Sequence, residues 1–315
     1  MFAIAGRHAG EARVRFVSTR RWITVLVTLA LLPGLLPASA VSAAGMTIAG
    51  ANAVNIRSCP QSDCDVIAVA TRGNTMQATG EPENGFTPVT YDGISGYVAS
   101  AFLFPAGQDT WFREGMAGCK RVALIFDIGV GFEPSTTIID TLVSTGTPAT
   151  MFPMGTFALN QPEYLKMLAD AGFPIGTHGQ EAVDLTKAGP SDVTWSLDTS
   201  AELIEAVIGH PIEPLYTPYA ATIDPNVRAA AISIGYLPVG WKVAAIDFNW
   251  TATGDSVYND IMPNIYDGAI VEMHLDAPVT ETSTAVALPR IIADLTAEGY
   301  TFVTVQDMMQ PCPAG

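Results

Sequence analysis

The sequence predicts an α/β barrel of about seven or eight strands behind a small all-β barrel, and three patterns carry that expectation. From Cys119 onward, short β-rich apolar runs alternate with helix-like amphipathic segments. Between residues 46 and 105 only short β-type runs occur, separated by turn residues and without helical periodicity. Ahead of both lies a basic, then apolar, then small-residue stretch of the kind that addresses a chain for export.

The chain has 315 residues, 49% of them hydrophobic and 15% charged, which supports a sizeable core and excludes a disordered chain. Its net charge is -16, from 15 basic and 31 acidic groups. Arg7, Arg13, Arg15, Arg20 and Arg21 lie within residues 1–40 with Glu11 the one acid there, so the remainder holds 10 basic and 30 acidic groups and carries -20. Such a field repels nucleic acid and anionic bilayers and leaves a neutral, cationic or locally recognised partner.

Residues 1–40 read as a secretory signal. An Arg-rich start leads into an apolar run over 23–36 and then Ala38-Ser39-Ala40, small residues of the A-x-A kind. Thr19-Arg20-Arg21-Trp22-Ile23 resembles a twin-arginine export signal. A retained anchor over 22–44 is the alternative, which Pro33 and Gly34 oppose. No later segment is long and apolar enough to span a bilayer once the signal is removed. The chain is therefore expected outside the cell or at the wall. The four cysteines agree with export, and their spacing suggests disulfides Cys59–Cys64 and Cys119–Cys312.

In residues 46–105 the β-type runs are 47–49, 54–57, 65–70, 75–79, 87–91 and 96–99, with Asp92-Gly93 as a hairpin turn signal. Residues 106–118 read as a linker. In 119–312 the expected strands are 122–126, 149–152, 174–176, 214–217, 237–240, 243–248, 269–274 and 301–305. The expected helices are 134–145, 161–171, 192–208, 225–234, 256–265 and 283–298. In the helix over 161–171, Tyr164, Leu165, Leu168 and Ala171 share one face.

Chemistry in parallel barrels gathers where strands end. Four polar residues stand there: Asp127, His178, Asp247 and His274. Beyond the signal the chain has three histidines, and two of them hold such positions while His210 lies in a helix–strand connection. Two carboxylates and two imidazoles in one mouth are the parts of acid–base hydrolysis.

Certain words in the sequence add a family resemblance. Val54-Asn55-Ile56-Arg57-Ser58, Gly85-Phe86 and Gly93-x-x-Gly96-Tyr97-Val98 resemble the bacterial SH3 family, with Phe86 and Tyr97 where Trp is usual. Leu124-Ile125-Phe126-Asp127, Pro148-Ala149-Thr150-Met151-Phe152, Ile175-Gly176-x-His178, Thr217-Pro218-Tyr219, Gly240-Trp241, Ile270-Val271-x-Met273-His274 and Gly299-Tyr300-x-Phe302-Val303 resemble, in order, the NodB-homology polysaccharide deacetylases of carbohydrate esterase family 4. The resemblance implies a distorted (β/α)7-type barrel, preceded by an SH3-like barrel, acting on or binding peptidoglycan or another acetylated polysaccharide with a divalent metal, zinc, as cofactor.

It also implies roles. Asp127 falls on the catalytic base, and Asp247 and His274 on the pair in which the histidine is general acid. His178 falls on one metal ligand, but the other two positions hold Ile128 and Ala182, and the arginine that orients the base is Tyr216. Two readings follow. In one, Glu181 joins His178 in a rebuilt metal site and the protein is a hydrolase. In the other, it is a non-catalytic glycan- or wall-binding protein with a degenerate metal site. Tyr216, Pro218, Tyr219 and Trp241 are the candidate substrate contacts, with Phe248 and Trp250 as further aromatics able to stack on sugar rings.

Overall fold

The computed structural model describes residues 44–312, so the export signal expected at 1–40 lies outside the described residues. The first body is all antiparallel. Strands β1 (Ala44–Ile48), β2 (Ala53–Arg57), β3 (Val66–Thr71), β4 (Thr75–Ala78), β5 (Phe86–Tyr91), β6 (Ile94–Ala99) and β7 (Leu103–Pro105) form one sheet in the order β3-β2-β6-β5-β4-β1-β7. Alternation sets its core: on β2, Val54 and Ile56 are buried while Ala53 and Asn55 face out. Asp92 and Gly93, with φ of 47° and 79°, turn β5 into β6 and pair Tyr91 with Ile94. A two-residue hairpin needs that left-handed pair. Cys59 and Cys64 are joined in the β2–β3 connection, their Cα atoms 5.7 Å apart.

The second body begins with β8 (Arg121–Ile128), every residue of which is buried. There follow α1 (Thr136–Thr145), β9 (Thr150–Pro153), α2 (Gly155–Asn160), α3 (Pro162–Asp170), α4 (Pro190–Ile208), β10 (Leu215–Tyr216) and α5 (Pro225–Ser233). Then come β11 (Leu237–Pro238), β12 (Val243–Ala244), α6 (Gly254–Ile261), β13 (Ala269–His274), α7 (Thr284–Ala297), β14 (Thr301–Val303) and α8 (Val305–Met309). Parallel pairing runs β12-β13-β8-β9, continues through isolated bridges at Ile175 and Thr177, and ends on β10-β11. These seven segments curl into the expected distorted barrel, with no ladder joining β11 to β12 among the described residues. Cys119 and Cys312 are joined, Cα atoms 5.4 Å apart, tying the two ends of this body together.

Several expected elements differ. The strand over 174–176 is reduced to two isolated bridges, because Pro174 lacks a donor and the chain pairs only through Ile175 and Thr177. The strand over 243–248 stops at Ala244, where Ile246 turns through a φ of 50°. The helix over 256–265 starts two residues early at Gly254, capped by Thr253, and tightens into a 3-10 turn at Met262–Asn264. Ala171 is the exposed C-cap of α3 and not part of its buried face. Val305 opens α8, with Thr304 capping Asp307 N. The stretch 106–118 is fastened to the barrel: Phe112 N donates to Pro238 O at 2.9 Å and Gly240 N to Phe112 O at 2.8 Å.

The period-2 alternation of strands divides the second body into two cores. Val122, Leu124, Phe126 and Ile128 of β8 face the helices, while Ala123 and Ile125 face the barrel interior. On β13, Ala269, Val271 and Met273 face out and Ile270 faces in. Continuing those inner rows places Asp127, Glu272 and His274 at the barrel mouth, with His274 directly opposite Asp127 in the register.

Candidate active site

A cavity of about 530 Å³ occupies the mouth. Its floor is polar, with Asp127, His178, Glu272 and His274. Its rim is aromatic: Tyr219, Phe248 and Trp250 are 37%, 54% and 69% exposed, so a ring of apolar faces stands open to solvent above buried charge. Phe132 supports Trp250 edge-to-face at 5.3 Å, and Phe248 packs the same way on His274 at 5.9 Å.

Asp127, 2% exposed, accepts a hydrogen bond from Thr217 Oγ1 at 2.7 Å. His178 Nδ1 lies 3.0 Å from Thr217 O and 2.8 Å from Thr217 Oγ1. A carbonyl only accepts, and the hydroxyl proton is committed to Asp127, so Nδ1 carries the imidazole proton and Nε2 keeps its lone pair. Burial pushes the His178 pKa down against the pull of Asp127, which favours that neutral ring.

Across the cavity, Asp247 is fully buried and accepts from His274 N at 2.9 Å, His274 Nδ1 at 2.8 Å and Thr284 Oγ1 at 2.5 Å. The turn at Ile246 that ends β12 is what places Asp247 against His274. Burial works against a charge on His274, but the Asp247 hydrogen bond and the charges of Glu272, Asp247 and Asp127 outweigh it and raise its pKa to about 10. Burial and the nearby Asp127 and Asp247 charges also push Glu272 up. Asp276, fully buried, accepts from Gly129 N and Gly131 N and fixes the loop after β8. A side chain at Gly129 would strike Met154, so the loop can approach only without one.

The structure thus brings Asp127, His178, Asp247 and His274 to one mouth. Of the candidate substrate contacts, Tyr219 and Trp241 line the cavity. Tyr216, 1% exposed, packs in the outer core and Pro218 is buried; neither lines it. Glu181 and Ala182 are exposed and outside the lining, and Ile128 is fully buried in the outer core. Among the described residues, no three His, Cys, Asp or Glu side chains gather so as to hold a metal ion. Three polar participants were not singled out from sequence. Glu272 had a usable signal, since it stands two residues before His274 on the same strand face. The link that Thr217 makes and the loop contacts of Asp276 had none.

The parallel barrel carries a paired carboxylate and imidazole at its mouth and follows an antiparallel all-β body, an arrangement similar to that of polysaccharide deacetylases. Residues 114–239 match the family model described as polysaccharide deacetylase, and residues 52–104 the one described as bacterial SH3 domain. The chain is 28% identical over 196 residues to the Bacillus subtilis peptidoglycan-N-acetylmuramic acid deacetylase PdaA, covering 60% of this chain and 72% of that protein. The solved structure of PdaA, a family 4 carbohydrate esterase, is similar with a TM-score of 0.60 and 27% identity, over 64% of this chain and 85% of that one. A family 4 pseudoenzyme from Bacillus anthracis shares the fold, with a TM-score of 0.59 and 23% identity over 64% and 69% of the two chains. This chain carries the NodB-homology polysaccharide deacetylase fold with an N-terminal bacterial SH3-like domain, and deacetylases of this family are generally metal-dependent.

Proposed function

We propose that the protein is exported and binds cell-wall glycan in the barrel mouth, without zinc-dependent deacetylation. One observation carries this reading: of the three positions where the family resemblance expects metal donors, only His178 offers one. Ile128 is locked in the outer core and Ala182 has no donor atom. A catalytic zinc needs three protein ligands and an open position, so these residues do not fit the ion and no step is routed through it. What remains suits a saccharide. Exposed rings at the rim stack on sugar faces, and the polar floor supplies hydrogen bonds. The disulfides fit an oxidising compartment, and the peptidoglycan relative supports a wall glycan as partner.

A second reading rests on the Asp247–His274 pair. It positions an imidazole to protonate a leaving group while Asp127 acts as base, which supports slow metal-free hydrolysis of an acetyl ester. Calorimetric zinc titration, acetate release from acetylated glycans and sedimentation with insoluble peptidoglycan test both. The proposal expects no zinc uptake, no acetate, and sedimentation that Trp250→Ala weakens. Tight zinc binding lost in His178→Ala would overturn it, and zinc-independent acetate release lost in His274→Ala would favour the second reading.

A further inference from the structure

The seam between β11 and β12 has no ladder of its own, yet its edge is not bare. Leu237 N and Val239 N donate toward β10, to Pro214 O and Tyr216 O, which turns Pro238 O and Gly240 N to the opposite edge of β11. Phe112 takes up both: its N–H donates to Pro238 O at 2.9 Å and its carbonyl accepts from Gly240 N at 2.8 Å, a parallel bridge to Val239. On the far side of the seam Glu114 bridges Ala269 at the start of β13. Residues 112–114 therefore stand in for the missing strand and give partners to backbone groups that an open edge would leave unpaired. Each of the three grips the residue 128 positions further on. Phe112 holds Gly240, the Arg113 guanidinium donates to Trp241 O from Nε at 3.3 Å and from Nη2 at 2.9 Å, and Glu114 pairs with Lys242.

Trp111 locks this segment in place. Its indole fills space that only a glycine leaves, since a side chain at Gly240 would strike it. The Arg113 guanidinium lies 4.4 Å from its ring centroid and that of Arg228 lies 5.8 Å away. Arg228 is itself tied to Asp109 at 2.7 Å. Trp241 lines the mouth cavity, so the linker reaches the site through the backbone of that residue. Side-chain rotamers follow backbone dihedrals, and a held Trp241 carbonyl limits where its indole can point. Residues 109–113 and Trp241 all lie outside the two matched family segments, 52–104 and 114–239. We propose that Arg113 is a positioning residue for glycan binding: through the Trp241 carbonyl it fixes the Trp241 ring as one wall of the mouth, which makes the linker part of the binding site. This rests on the glycan-binding reading and adds to it the residue that holds one wall in place.

The test follows sedimentation with insoluble peptidoglycan and the tryptophan indole N–H signals in NMR. It compares the wild type with Arg113→Ala, with Trp241→Ala and with Arg113→Met, which keeps the aliphatic stem and guards against misfolding. The Trp241 signal is identified by its absence from Trp241→Ala. Both Arg113 variants are expected to shift that signal, to leave that of Trp250 in place, and to weaken sedimentation about three- to tenfold, the size of one aromatic contact. Trp241→Ala should weaken it equally, and adding Arg113→Met to Trp241→Ala should weaken it no further, because the arginine acts only through that ring. Adding Arg113→Met to Trp250→Ala should multiply the two losses. An unmoved Trp241 signal, unchanged sedimentation in both Arg113 variants, or losses of Arg113→Met and Trp241→Ala that multiply, each overturns the positioning role and leaves the glycan reading standing. Wild-type protein that fails to sediment overturns the glycan reading and this proposal with it.

Discussion

Thr217 Oγ1 stands between Asp127 and His178, donating to the carboxylate at 2.7 Å and receiving the imidazole Nδ1–H at 2.8 Å. One hydroxyl thereby fixes the orientation of the Asp127 carboxylate and the tautomer of the His178 imidazole. In the family resemblance an arginine orients the base; here that position is Tyr216, which packs in the outer core, and the next residue in the chain, Thr217, contacts the carboxylate instead.

Replacing Thr217 with Val keeps the shape and removes the link. Both buried partners lose a hydrogen bond, so Thr217→Val should cost about 1–3 kcal/mol in chemical denaturation. Thr217→Ser should recover most of that loss. A valine variant as stable as the wild type would show that the contact contributes nothing.

The Asp247–His274 pair makes a prediction for histidine titration. Its NMR pKa should lie well above the ordinary value of about 6.5 and fall toward it in Asp247→Asn. Because the folded value is raised, the stability this pair contributes is complete below about 6.5 and is lost as pH rises through about 10. A His274 that titrates normally in the wild type contradicts the arrangement.

Glu272 also shifts upward, from an ordinary 4.5 to about 8. The fold favours its protonated form, so its contribution is present below about 4.5 and lost as pH climbs through about 8. The melting temperature of Glu272→Gln should therefore gain on that of the wild type between about pH 5 and pH 8. A difference that stays constant across this window would mean Glu272 ionises as an exposed carboxylate does.

The Cys119–Cys312 disulfide closes a sequence separation of 193 residues. Changing both cysteines to serine should cost roughly 2–5 kcal/mol, read as a lower denaturation midpoint. Non-reducing peptide mapping that joins Cys59 to Cys312 would refute the pairing.

Ile128→Asp combined with Ala182→His supplies donors at the two altered positions. Without metal the new buried carboxylate should lower the melting temperature, and zinc should raise it again in this variant and not in the wild type. A double variant indifferent to zinc would place those two positions too far from His178 to share an ion.

Much of the fold was legible because the signals were local. Asp92-Gly93 specified a hairpin by backbone preference alone, and 269–274 was read as a strand to the residue because its apolar run ends cleanly at His274. The failures fall where tertiary contacts outweigh local preference. The apolar run 243–248 looked like one strand, yet Ile246 adopts a left-handed turn so that Asp247 can meet His274. Tyr216 was read as a sugar contact from its type, whereas the strand alternation turns it into the outer core.

The sequence by itself determined the cysteine pairs, much of the alternation of β and α segments and the strand-end positions of Asp127 and His274, which follow from residue periodicity and spacing, but not α2, α8 or the bridged segment before His178. Only the tertiary structure decided which of these groups have partners. Thr217 reaches Asp127 across 90 residues and Asp247 reaches His274 across 27, distances that barrel closure alone makes short. The same packing buried Glu272 beside His274, whose Nδ1 lies 3.2 Å from its carboxylate. Hydrogen bonding and desolvation depend on the neighbours that packing assembles, and those neighbours are remote in the chain.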